Sequence, residues 1–197
     1  MRTDVVALSN KKEESFVAMM EVAEKVVAYY ELPVKKAMQL RLLCEELANM
    51  LPELLYFAEG SFYIDGENKN IELHVNLKAI NRTDMNKDRI IAASADKKNS
   101  AKGIINRLTN VISSFFEGQE TADEMGLHDP AFLNMNAMDT YPGGYWSLGT
   151  YMDSYDESEA EEPWDELEKS IIIGIADDVK VGIVDKKVEI VVKKNFA

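Results

Sequence analysis

The chain reads as an α+β protein, a two-layer sandwich in which one mostly antiparallel sheet carries helices on one face. Three observations predict this. Two long helical patterns follow one another near the start, an alternating hairpin occupies residues 61–77, and a second alternating hairpin closes the chain at 179–193. Its 197 residues suit a single domain, 1–197, that can bury a core without disulfide or metal staples.

Val5–Leu8 is short, β-branched and bounded by polar residues, so it reads as a first strand, with Ser9 or Asn10 placed to cap a first helix. From Lys11 to Tyr30 the apolar residues Phe16, Met19, Met20, Ala23, Val26, Val27 and Tyr30 keep helical spacing, and Glu31-Leu32-Pro33 ends the run. Pro33 can open a second helix, because its missing N–H is not needed in a first helical turn, and that helix runs to Leu51. Pro52 is expected to kink or end it. Leu40, Leu43, Leu47 and Met50 form its apolar stripe, and Glu45 and Asn49 are i,i+4 neighbours on another face. A carboxylate that can take a proton from water and a carboxamide oxygen that can ligate Mg²⁺ then point the same way.

Ser61–Asp65 and Ile71–Leu77 alternate around the polar, glycine-containing turn 66–70, which puts Ile71, Leu73, Val75 and Leu77 on one face and His74 on the other, at solvent or a sheet edge. A polar connection at 79–87 leads to helical segments near 87–95 and 100–117, the second with an apolar stripe through Ile104, Leu108, Val111, Ile112 and Phe115. Residues 118–152 show no sustained period and read as a long ordered loop or lid, in which Trp146 is a packed plug. The segment 78–163 as a whole is lid-like or a divergent insertion, and its end, 153–163, is acidic and reads as a mobile connection. A last helix starts at Trp164 and runs to Ala176, and Val179–Ile183 with Val188–Lys193 close the chain about Asp185-Lys186.

The net charge of −13 argues against binding nucleic acid or an anionic membrane through bulk electrostatics, and makes a basic protein partner the more natural one. Cys44 is the only cysteine; inside a helical apolar pattern it reads as a buried thiol, in keeping with a reducing cytoplasm. No apolar run has the length of a membrane span or a signal sequence. There is no P-loop, no Cys/His metal spacing, no G-x-S-x-G and no basic-aromatic patch.

The order of elements resembles the GHKL (histidine-kinase-like) ATPase superfamily, most closely the bacterial anti-sigma-factor serine kinase domains. The resemblance rests on the first helix, on Gln39–Asn49 in the position of the family's N box, and on the terminal hairpin from Asp177 to Lys194. It implies that Glu45 is the general base and Asn49 the Mg²⁺ ligand, with Glu46 a bystander. It further implies ATP contacts at Asp84, for the adenine, and at Lys102 and Gly103, for the phosphates.

The chain departs from the family where glycines should let backbone approach the nucleotide. None occurs from Leu77 to Lys102, and the two phosphate-segment remnants, Ser100–Ile104 and Lys169–Gly174, hold one glycine each. The expectation is therefore a cytoplasmic regulatory protein, similar to an anti-sigma-factor domain, that has lost its nucleotide site and acts by binding a protein, basic or sigma-factor-like, with a homodimer left open. On that reading no cofactor is needed. The alternative is a Mg-ATP-dependent serine/threonine protein kinase, with ATP and Mg²⁺ bound if the site is intact.

Overall fold

The computed structural model describes residues 1–54, 57–79, 108, 111–112, 145–153, 170–184 and 187–197. Helix α1 (Lys12–Tyr30) buries Met19, Val22, Ala23 and Val26, which recur at three and four residues. It ends in a Schellman motif: Glu31 adopts the left-handed conformation at φ 48°, its N–H donates to the Ala28 carbonyl, and the Leu32 N–H reaches back to Val27. At the other end Ser9, one of the two expected caps, accepts the Lys11 N–H on its Oγ at 3.1 Å, while the N-cap position itself makes no side-chain cap bond. Lys11 is the N-cap residue, and Asn10 instead binds the backbone of Phe57, a partner 47 positions away that sequence order does not reveal.

Helix α2 (Val34–Leu54) carries Pro52 inside it, where the sequence predicts a kink or an end. The proline lies in the last turn, so it removes one backbone bond near the end, and burial of Leu51 and Leu54 on either side offsets that loss.

Among the described residues six strands form one sheet, antiparallel at every pairing, in the order β1-β2-β3-β6-β5-β4: β1 (Val6–Leu8), β2 (Phe57–Glu67), β3 (Asn70–Ala79), β4 (Tyr145–Ser147), β5 (Asp178–Val184) and β6 (Lys187–Asn195). One face is apolar. Phe62, Val75, Ile190 and Val181 form one register row across β2, β3, β6 and β5, and Ile64, Leu73, Val192 and Val179 form the next; all are buried in one core with the stripes of α1 and α2. The α+β architecture with a wholly antiparallel six-stranded sheet agrees with the sandwich expected from sequence.

The first hairpin turns more tightly than expected. Asn68 and Lys69, at φ 51° and 65°, are its two turn residues, and the ladder runs up to Glu67 opposite Asn70. Gly66 is thus a strand residue. A Cβ there would stand 2.8 Å from Tyr30 Oη and from Ile71 Cδ1, and the Tyr30 hydroxyl donates to the Gly66 carbonyl at 2.5 Å. The glycine serves this close approach, not the turn.

Part of the stretch read as a long loop, 118–152, is regular: β4 pairs with β5, and helix α3 (Leu148–Asp153) follows it directly. Three residues are too few to show a period, and β4 takes its pairing from β5. Trp146 is buried, as a packed plug should be. Of the expected 100–117 helix, Leu108, Val111 and Ile112 are described; they are helical, with Leu108 and Ile112 buried. Of the last helix, α4 (Ile171–Ile175) is described, with Ile172 buried. The readings placed on 80–100, 113–144 and 154–169, including the helix near 87–95 and most of the acidic segment, lie outside the described residues. Among the described residues no helix is long and apolar enough to cross a membrane.

Candidate functional site

Helix α2 is buried around most of its circumference. Leu40, Leu43 and Leu47 are inaccessible to solvent, and so is Cys44, whose thiol burial pushes far above its ordinary pKa, so that it is not a nucleophile. The arc left accessible runs along Met38, Leu42, Glu45 and Asn49. Glu45 is exposed and Asn49 half-buried, one turn apart as the spacing requires.

The buried carboxylate is that of Glu46, 5% exposed, which the N-box reading set aside. Its position was readable in the sequence. Glu46 stands three residues after Leu43 and four before Met50, both buried, so it borders the apolar stripe. At the arc's other border Arg41 holds Glu24 of α1 in a two-pronged pair, Nε to Oε1 at 2.5 Å and Nη2 to Oε2 at 2.8 Å. The Arg41 hydrogen bonds hold the Glu24 carboxyl below its usual range.

Asp84, Lys102 and Gly103 lie outside the described residues. Gly174, the glycine of the second remnant, sits in α4 with its N–H already bonded to the Ser170 carbonyl at 3.0 Å, and a Cβ there would meet nothing within 4 Å. Its N–H is thus part of the ordinary helical ladder, and among the described residues no close approach calls for a glycine there. Among the described residues no group of three or more His, Cys, Asp or Glu side chains is disposed to hold a metal ion.

A second cluster lies on the sheet face turned away from the helices. His74 is neither an edge group nor freely solvated: its side chain is 14% exposed, in mid-sheet, stacked on the Tyr63 ring at 4.5 Å with the planes 6° apart. Its Nε2 lies 3.4 Å from Glu72 and its Nδ1 3.5 Å from Glu189, while the Arg2 guanidinium covers Tyr63 at 4.3 Å from the ring centre. Glu72 also receives the Lys193 ammonium, and that hydrogen bond holds its carboxyl below the usual range. Strands β2, β3 and β6 are thereby joined by side chains as well as by the ladder. The signal for this was present in the alternation that put His74 opposite the apolar face; what sequence could not supply was the register that sets Tyr63 beside it.

Comparison with protein-family models, with curated proteins and with solved structures finds no match for this chain.

Proposed function

We propose that this chain is a cytoplasmic regulatory protein on a histidine-kinase-like ATPase fold, similar to an anti-sigma-factor domain, which has lost its nucleotide site and acts by holding a protein partner. The fold part of this reading is supported by two consecutive helices packed on one face of an antiparallel sheet whose last hairpin, β5–β6, lies beside the first, β2–β3. The observation that carries the loss of the site is the glycine-free run from Leu77 to Lys102, which gives the backbone no place for close approach to a nucleotide. A partner that is basic suits a chain of net charge −13, and a sigma-factor-like one follows from the resemblance.

One observation favours the alternative, an active Mg-ATP-dependent serine/threonine protein kinase. Glu45 and Asn49 keep the general-base and Mg²⁺-ligand spacing on the accessible arc of α2. Thermal unfolding with and without Mg-ATP separates the two readings: the binding protein is indifferent to the nucleotide, and the kinase is stabilised by it.

A further inference from the structure

On the outer sheet face, beyond the His74 cluster, lies a hollow of about 440 Å³ among β2, β3, β6 and β5. That volume is in the range of small-molecule sites. Its shape follows from the register. Ser61, Asn76, Glu189 and Gly182 form one row across the four strands, and Gly182, with no side chain, leaves the row open at β5. In the next row Lys78 and Lys187 stand directly opposite each other on β3 and β6, and both line the hollow.

Two like charges opposite one another in an antiparallel pair work against the sheet, because their Cβ atoms are only about 5 Å apart. Lys78 has partial compensation from Glu59, whose two carboxylate oxygens each lie 3.4 Å from Nζ. Lys187 has no ion pair among the described residues. The other acid of the hollow, Glu189, has its Oε1 3.5 Å from His74 Nδ1.

We propose that this hollow binds an oxyanion, a phosphomonoester or carboxylate group, held between the ammonium groups of Lys78 and Lys187 with the Ser61 hydroxyl and Asn76 carboxamide as neutral donors. A bound anion removes the repulsion between the two lysines; because Glu59 already faces Lys78, the charge left for it to meet is chiefly that of Lys187, which suits a group of charge −1. The net charge of −13 repels anions at long range, so affinity comes from contacts inside the hollow. The proposal is independent of nucleotide binding at α2, which lies on the other face of the sheet.

The test is amide NMR of the ¹⁵N-labelled protein at low ionic strength, titrated separately with inorganic phosphate, O-phosphoserine and succinate. Saturable shifts are expected at Ser61, Asn76, Lys78, Gly182 and Lys187, with a dissociation constant of about 1 mM or tighter. Lys187→Gln and Lys78→Gln should each weaken binding about fivefold or more. Lys187→Arg should retain binding, and Lys11→Gln, on α1's exposed N-cap, should leave it unchanged. Saturation by phosphate and phosphoserine alone supports the proposal with a phosphomonoester as ligand, and saturation by succinate as well supports it with any oxyanion. No saturable shift with any of the three, or saturation that Lys187→Gln leaves unaltered, overturns it.

Discussion

Asn10 and Phe57 are joined by a two-way hydrogen bond: the Asn10 carboxamide donates to the Phe57 carbonyl at 2.7 Å, and the Phe57 N–H donates to its oxygen at 3.2 Å. One side chain thus satisfies both main-chain groups at the start of β2 and ties that strand to the entry of α1. Asn10→Ala should cost about 1–3 kcal/mol, because two backbone groups lose their partner. Asn10→Asp keeps the acceptor and loses the donor, so urea unfolding should place it between Ala and wild type. Equal stability of Asn10→Ala and wild type would mean that water replaces the side chain without loss.

Leu43 and Gly60 test the two sides of the core. Leu43→Ala removes a side chain with no solvent exposure and should cost about 2–5 kcal/mol. Gly60→Ala adds a methyl that would stand 2.6 Å from Phe57 Cε2 and 2.9 Å from Leu8 Cβ. The second contact is to an atom fixed to backbone, so β1 must shift, and a loss of about 1–3 kcal/mol is expected. A loss below about 1 kcal/mol for Leu43→Ala would put the wrong face of α2 against the sheet.

The reading from sequence succeeded where a long period leaves no ambiguity. Met19, Val22, Val26, Leu40, Leu43 and Leu47 declare their helices by spacing alone, and Ile71 to Leu77 declare a half-buried strand. It failed where a residue's partner is distant in the chain. Asn10 looks like a cap until Phe57 is beside it, Gly66 looks like a turn until Tyr30 is above it, and Tyr145–Ser147 has no signal without β5. The N-box carboxylates are the opposite case: spacing alone pairs Glu45 with Asn49 and sets Glu46 against the apolar stripe, and the burial of the two agrees.

Addition of about 1 mM Mg-ATP should leave the melting temperature unchanged. A site with a dissociation constant near 10 μM would add about 2.7 kcal/mol at that concentration, a shift of several degrees for a chain of this size. A shift of that size, abolished by Asn49→Ala, would replace the binding-protein reading with the kinase.

Acid should loosen the outer sheet face through Glu72. Its hydrogen bond from Lys193 lowers the carboxyl from the ordinary 4.5, so the folded state binds fewer protons than the unfolded chain just below that pH. The contribution is therefore complete above about pH 5 and is lost as pH falls through the folded-state value; raising the pH from 6 to 8 changes nothing through this group. Both side chains are 36% exposed, so added salt should weaken the effect. Lys193→Gln removes the charge that lowers Glu72, and the Glu72 carboxyl, followed by its ¹³C shift, should then titrate at higher pH, with the acid unfolding midpoint moving up in step. An unchanged Glu72 titration in Lys193→Gln would transfer the cause to His74, whose Nε2 lies 3.4 Å from Glu72, and Lys193→Gln/His74→Gln would then be the variant that moves it.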